Sequence, residues 1–269
     1  MTSVRLDLRT TPPALVRGLR SQRIIERNLM VARRAWTVVL SGFFEPVFYL
    51  FAIGVGVGGL VGDLEIDGRA IPYAMYVAPA LLASSAMNGA IFESTLNIFF
   101  KLKWGKVYDA MLTTPLRPID IATGEIGFSL MRGGIYSIGF MIVMAIYGLA
   151  DSWWAVMAIP CAVLIGVAFA SVGMAATTYM RSWQDFDMVN LFVLPLFLFS
   201  ATFYPLDVYP PFFQNLTRIS PLYHGVELVR AFTLGIFDVS MIGHTVFLVA
   251  MATVGMTIAG RRLEKLLLL

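Results

Sequence analysis

Residues 194–232 read LPLFLFSATFYPLDVYPPFFQNLTRISPLYHGVELVRAF. The stretch opens as apolar as a membrane span, breaks at Pro205, Pro210, Pro211 and Pro221, and then carries Glu227 and Arg230 among apolar neighbours. A soluble loop would not keep that much hydrophobic surface, and a plain spanning helix would not tolerate four prolines. In lipid every backbone N–H and C=O needs a partner, so a broken segment at membrane depth has to be covered by protein or line a water-filled cavity. Something must cover this backbone.

Composition supports lipid as the solvent. The chain is 58% hydrophobic and 14% charged, whereas globular domains are about 45–50% apolar and about 25% charged. At about 20 residues per spanning helix, 269 residues leave room for roughly six spans with modest loops and no large soluble domain. The expected fold class is therefore an all-α membrane protein. A net charge of +3 gives no support to nucleic-acid binding. Cys161 is the one cysteine, so an intrachain disulfide or a cysteine metal cluster is impossible. Arg5, Arg9, Arg17, Arg20, Arg23 and Arg27 precede any apolar run, and no cleaved signal peptide is expected.

Working outward from the broken stretch, the apolar runs predict spans at about 37–62, 73–100, 126–149, 155–180, 188–204 and 240–260. Residues 1–36 form a polar tail and an amphipathic helix, with Leu15, Leu19, Ile25, Leu29 and Trp36 on one side and Arg20, Arg23, Arg27 and Arg34 on another. Residues 63–72 read as a short polar turn, 205–232 as the broken segment and 261–269 as a tail. Gly54 and Gly58 have the four-residue spacing that lets membrane helices approach closely. Residues 101–125, KLKWGKVYDAMLTTPLRPIDIATGE, are the internal segment rich in charge. A short surface helix ending near Thr113-Thr114-Pro115 is expected there, and its length is large for a mere reversal. Arg132, near a boundary of the third span, is expected to snorkel.

With the N-terminus inside, seventeen of the twenty basic residues fall on the inner side, leaving Arg69, Arg218 and Arg230 outside. The positive-inside rule then places both termini in the cytoplasm and the broken stretch on the outer side.

No catalytic constellation survives inspection. His224 and His244 stand twenty residues apart with no cysteine cluster or helical His pair, which argues against a metal site. Ser200, His224 and Glu227 lack nucleophile-elbow glycines. No Gly-x-x-x-x-Gly-Lys-Ser/Thr run occurs, so any ATP dependence belongs to a partner. What remains is a polar seam of Glu45, Asn88, Glu93, Asn97, Asn190, Glu227 and Arg230, each costly against lipid. Glu227 and Arg230 are three apart, hence neighbours on one helix face, and either pair structurally or meet a substrate.

Pro195-Leu196, Phe199-Ser200, Phe203-Tyr204-Pro205, Leu216, Ser220-Pro221-Leu222-Tyr223 and the run from Gly225 to Arg230 resemble the signature of the ABC-2 type exporter permeases. Glu45-Pro46 with Tyr49-Leu50 and the glycines after them, and YDAMLTTPLRPIDIATGE, are similar to the nodulation-factor and daunorubicin exporter branch. The resemblance implies a six-span permease with two re-entrant half-helices between spans five and six. It also implies a multi-pass protein of the bacterial cytoplasmic membrane, working with a cytoplasmic ABC ATPase subunit and a second permease copy or a paralogous permease, among membrane lipids and without nucleic acid. Its cargo would be amphipathic, lipid-like, glycolipid or drug-like and would move outward. No cofactor is expected on this chain, with ATP and Mg held by the partner ATPase.

By the same resemblance Val107, Tyr108, Met111, Leu112, Arg117 and Asp120 would couple to the ATPase, with Arg20, Arg23, Arg27 and Trp36 on the elbow helix beside them. Glu45, Asn88, Glu93, Phe199, Phe203, Tyr204, Tyr223, Glu227 and Arg230 would form the translocation path or gate, the path being lined by spans one, two and five. Two other classes stay open: a non-transporting membrane scaffold or regulator that docks an ATPase, and a membrane-embedded transferase using Glu227 and His224.

Overall fold

The computed structural model describes residues 13–34, 44, 46–66 and 68–268, and it is helical almost throughout. Trp36, Glu45 and the start of the first expected span lie outside the described residues. Helix α1, Pro13–Arg34, starts at a proline whose fixed φ suits a first helical position and ends on Arg33 and Arg34, which favour the negative end of the helix dipole. Among its described side chains Ile24 and Asn28 are buried, while Arg23 is exposed and pairs with Glu26 at 3.0 Å. Helix α2, Pro46–Val61, is apolar and contains a π-helical stretch over Leu50–Val57.

The expected polar turn at 63–72 is instead an antiparallel hairpin, β1 Asp63–Ile66 with β2 Arg69–Pro72, in the register Leu64↔Ile71. The fold is therefore not purely α. Gly68 has φ +73°, and a Gly after Asp between alternating residues is the two-residue hairpin signal. Leu64 and Ile66 turn inward while Asp63 and Glu65 stay exposed, as the period of a strand requires.

Among the described residues four helices are long and apolar enough to cross a bilayer: α3, Tyr73–Trp104; then Pro118–Ile146, Trp153–Thr177 and Ser240–Leu267. Between α3 and the second of these lies α4, Val107–Leu112, only six residues long. The hydroxyls of Thr113 and Thr114 donate back to the Ala110 and Met111 carbonyls at 2.8 and 2.6 Å and close it. Helix α5, Pro118–Ile146, begins eight residues before the expected start of the third span, 126. The reason is local: Pro118 sits in its first turn, and the buried Asp120 carboxylate accepts the Arg117 N–H at 3.1 Å. Arg117 and Asp120 thus belong to the start of α5 and not to the short surface helix.

Helix α6, Trp153–Thr177, opens with a tighter turn in which Ser152 Oγ accepts the Trp154 N–H at 3.1 Å. Helix α7, Asp185–Leu198, occupies the fifth expected span. At 1.5 Å per residue its 14 residues rise about 21 Å, less than the ~30 Å of a hydrocarbon core. The broken stretch then folds as α8, Pro211–Ile219, and α9, Pro221–Leu234, each with proline in its first turn. Helix α10, Ser240–Leu268, runs through the residues expected to be a tail. Gly260 is no stop signal. A Cβ there would stand 2.9 Å from Ile119 Cδ1, so the glycine lets α10 approach α5.

Small residues set the core. Ala78, Ala80, Ala83, Ala168 and Ala170 are fully buried among α3, α5, α6, α9 and α10. At Gly255 a Cβ would meet the Ser171 and Val172 backbone at 2.9 Å, and at Gly225 it would meet Ile165 Cδ1 at 2.7 Å. Gly54 and Gly58 are less tight against the neighbouring helix, with Ala74 and Tyr73 at 3.5 Å, and a Cβ at Gly54 would stand 3.1 Å from Leu50 Cδ1 of its own helix. Close backbone approach is how helices associate where lipid removes the hydrophobic drive between them.

Candidate functional site

The last four carbonyls of a helix have no intrahelical partner, and at the end of α7 each of them is met. Phe199 N donates to the Pro195 carbonyl at 2.9 Å, Ser200 Oγ to Leu196 at 2.5 Å, Thr202 Oγ1 to Phe197 at 2.8 Å and Tyr209 Oη to Leu198 at 3.4 Å. Beyond the helix, Thr217 Oγ1 of α8 donates to the Phe199 carbonyl at 2.9 Å. Ala201 carries φ +54°, a conformation that costs a non-glycine residue about 1–2 kcal/mol. Two donors hold it there: its carbonyl accepts from Arg230 Nη2 at 2.7 Å and from Tyr76 Oη at 3.1 Å.

Arg230 is the hub of this region. Its Nη1 donates to Glu227 at 2.6 Å, and its guanidinium lies 3.8 Å from the centre of the Tyr76 ring. It ties α9 to the turn after α7 and to α3. Ser200 Oγ and Ser220 Oγ are 2.6 Å apart, so Ser200 is engaged with Ser220 and Leu196 and not with His224. His224 and His244, twenty residues apart in the chain, meet with Nδ1 to Nδ1 at 2.6 Å between α9 and α10. Among the described residues no group of three His, Cys, Asp or Glu could hold a metal ion.

A second polar cluster lines a cavity of about 690 Å³ bounded by α2, α3, α5 and α7 with the turn before it. Glu93, 5% exposed, accepts Arg132 Nη1 at 2.7 Å and is also hydrogen-bonded by the Asn97 amide. Arg132 Nε donates to Tyr136 Oη at 2.9 Å. Asn88 Oδ1 is buried and makes no hydrogen bond. Ser84, Ser129 and Asn190 add polar wall, and Tyr49, Phe92 and Phe197 add aromatic wall. Glu93–Asn97 is a π-helical turn, an irregularity that recurs at functional sites. The volume lies in the range of small-molecule pockets, about 300–1,000 Å³.

A third cluster sits where α1, α3, α4 and α5 meet. Glu125 Oε2 accepts Asn28 Nδ2 at 2.9 Å and Lys101 Nζ at 2.7 Å. Ser21 Oγ and Thr123 Oγ1 are 2.7 Å apart, and Gly124 leaves room for Ile24, whose Cβ a side chain there would meet at 2.7 Å. Tyr108 of α4 is fully buried. Burial and the neighbouring Glu125 carboxylate push its phenol well above the ordinary value, so it stays protonated.

The seam expected from sequence therefore divides. Asn88, Glu93 and Asn190 line the cavity, with Asn97 bonded to Glu93; Glu227 and Arg230 stand apart with Tyr76; Glu45 is outside the described residues. Phe199 and Tyr204 are exposed and Phe203 and Tyr223 half-buried, and none of the four lines the cavity. In α4, Val107, Met111 and Leu112 are half-buried, and the outward residues are Asp109 and Ala110. Arg20 and Arg27 are half-buried. Arg132 was expected to snorkel, yet it pairs with Glu93 because an apolar environment favours the nearest carboxylate over a long reach to water. Its spacing to Tyr136, one helical turn, was the available signal. Tyr76 and Glu125 gave none.

The ABC-2 type transporter family model matches residues 21–234. Nodulation protein J of Rhizobium leguminosarum bv. viciae is 32% identical over 221 residues, covering 81% of this chain and 83% of the relative. Nodulation protein J of Sinorhizobium fredii is 34% identical, covering 76% and 77%. The inner membrane transport permease YadH of Escherichia coli is 26% identical, covering 78% and 80%. The family match spans the clusters around Arg230, Glu93 and Glu125 and most of the apolar helices around them. This chain belongs to the ABC-2 type transporter family and is a membrane transport permease.

Proposed function

We propose that this permease is the transmembrane subunit of an ATP-driven exporter, moving an amphipathic cargo outward across the cytoplasmic membrane. The observation that carries the reading is the Glu93–Arg132 pair kept beside a 690 Å³ void within apolar helices. A charged side chain at membrane depth costs on the order of 2.5–3.5 kcal/mol on insertion scales, which a protein tolerates where the group is paired and faces a path. Aromatic walls beside polar ones suit a cargo with both characters.

In this reading α2 with the residues before it forms the first span, and α7 with the turn after it forms the fifth. Helices α8 and α9 are the re-entrant pair at the outer face, held by the hydrogen bonds of Thr217 and Arg230 on the Phe199 and Ala201 carbonyls just after α7. Helix α4 meets a cytoplasmic ABC ATPase through Asp109, Ala110 and the Thr113-Thr114-Pro115 corner, with Tyr108 as its anchor in the core. Closure of two ATPase subunits shifts a two-state permease dimer from an inward to an outward arrangement, and the Glu125 cluster transmits that movement among α1, α3 and α5.

The test is co-purification of the tagged permease with the ATPase encoded beside it, followed by reconstitution and measurement of ATP hydrolysis with a panel of amphiphiles. Stimulation by a member of the panel, reduced by Arg132→Gln, is the expected result. A permease that retains the ATPase but drives no ATP-dependent accumulation ends the proposal and leaves the scaffold reading, and one that retains no ATPase ends both.

A further inference from the structure

A groove of about 900 Å³ runs on the face of the molecule formed by α5, α6 and α10, and none of its residues lines the Glu93–Arg132 cavity. At one end stand Arg117 and Arg261, both exposed and neither in an ion pair among the described residues. From there the walls become apolar and small: Ile119, Met256, Ala252 and Val167. We propose that this groove binds one anionic glycerophospholipid, its phosphate between Arg117 and Arg261 and an acyl chain along Met256, Ala252 and Val167.

Three observations support that occupant. The first is depth: Ala252 and Arg261 lie nine residues apart on one helix, a rise of about 13.5 Å, close to one leaflet of a hydrocarbon core of ~30 Å. A groove of that length with its cations at one end matches a single lipid and not a membrane-spanning ligand. The second is charge. Glu264 also borders the groove, one turn beyond Arg261, but two guanidinium groups outnumber it. Lys265 and Arg262 lie on the same helix end, the latter stacked 4.1 Å over the Tyr179 ring. Basic pockets between helices at the cytoplasmic surface are the form in which proteins hold anionic head groups. The third is position. Arg117 lies between α4 and α5, so a phosphate held by it and Arg261 would tether the α4–α5 corner to the end of α10. The inference requires that these helices span a bilayer and is independent of the export reading.

The experiment titrates the purified full-length chain in detergent with phosphatidylglycerol or phosphatidylcholine of identical chains and reads retained lipid by native mass spectrometry. The expected result is preferential retention of phosphatidylglycerol, reduced roughly fivefold by Arg117→Gln or Arg261→Gln alone and by more than tenfold in the double variant. Lys265→Gln, outside the groove, should leave retention unchanged. Thr253→Trp, which fills the tail end from an exposed position, should weaken both lipids alike. Equal retention of the two lipids, an unaffected double variant, or displacement of the lipid by millimolar inorganic phosphate alone with the Trp variant unaffected would overturn the proposal. The first two outcomes remove the charge recognition, and the third reduces the site to a phosphate contact without a lipid.

Discussion

Two arginines sit among apolar helices, and they are used in opposite ways. Arg230 is 8% exposed at its side chain and cross-links three elements, with Glu227 on one terminal nitrogen, the Ala201 carbonyl on the other and the Tyr76 ring beneath, while its buried Nε makes no hydrogen bond. Arg132 is 23% exposed, holds Glu93 and Tyr136, and borders a void. The same side chain is a cross-link where it reaches a backbone carbonyl on a neighbouring turn and part of a candidate site where it borders open volume. Neighbouring open volume, and not charge or unmet hydrogen bonds as such, separates the candidate site from the cross-link in this membrane fold.

The sharpest way to break that contrast is Arg230→Ala. It removes one of the two donors on the buried Ala201 carbonyl, the partner of the Glu227 carboxylate and the contact with the Tyr76 ring, and a loss of about 2–3 kcal/mol is expected. Thermal unfolding of the detergent-purified chain measures it, and an unchanged melting temperature would remove the cross-link role. Arg132→Gln should cost less, about 1–2 kcal/mol, because Glu93 keeps its Asn97 bond and lies beside the cavity. Its larger effect is expected on cargo-stimulated ATP hydrolysis by the reconstituted complex, lower by tenfold or more.

Within the Arg230 pair the two partners are unequal. Glu227 is 31% exposed at its side chain and solvent screens it, so Glu227→Ala should cost only about 1 kcal/mol, well under the arginine variant. Equal losses would mean that the ion pair, and not the Ala201 carbonyl, is what holds α9. The smallest and most discriminating comparison is between two tyrosines. Tyr76→Phe keeps the ring under Arg230 and removes one bond to Ala201, with an expected loss of about 0.5–1.5 kcal/mol and unchanged hydrolysis. Tyr136→Phe frees Arg132 Nε, and its effect should appear in cargo response with stability almost unaltered.

Helix existence was legible because a long apolar run has few alternatives in lipid: 73–100, 126–149, 155–180 and 240–260 all coincide with long apolar helices. Their ends were less legible. The third helix starts at Pro118 because of a capping contact from Asp120, and the last continues through Gly260 because that glycine serves packing with Ile119. The hairpin at 63–72 was written in Asp67-Gly68 and read as a plain turn. Of the polar residues, Asn88 and Glu93 were found because charge and amide groups in an apolar run stand out. The pairing of Arg132 was not legible, since its partner lies 39 residues away on another helix.

By itself the sequence determined the solvent, the helical class, the approximate spans and the family resemblance, since all four rest on local composition, periodicity and short motifs. The covering of residues 194–232 was decided only by tertiary structure. Its four orphan carbonyls are met by donors from Phe199 to Tyr209, and the carbonyls just beyond by Thr217, Arg230 and Tyr76. A hydrogen bond between residues 125 positions apart, as from Tyr76 to Ala201, leaves no periodic trace in sequence. The division of one polar seam into a cross-link and a cavity was likewise decided by which helices came to pack together.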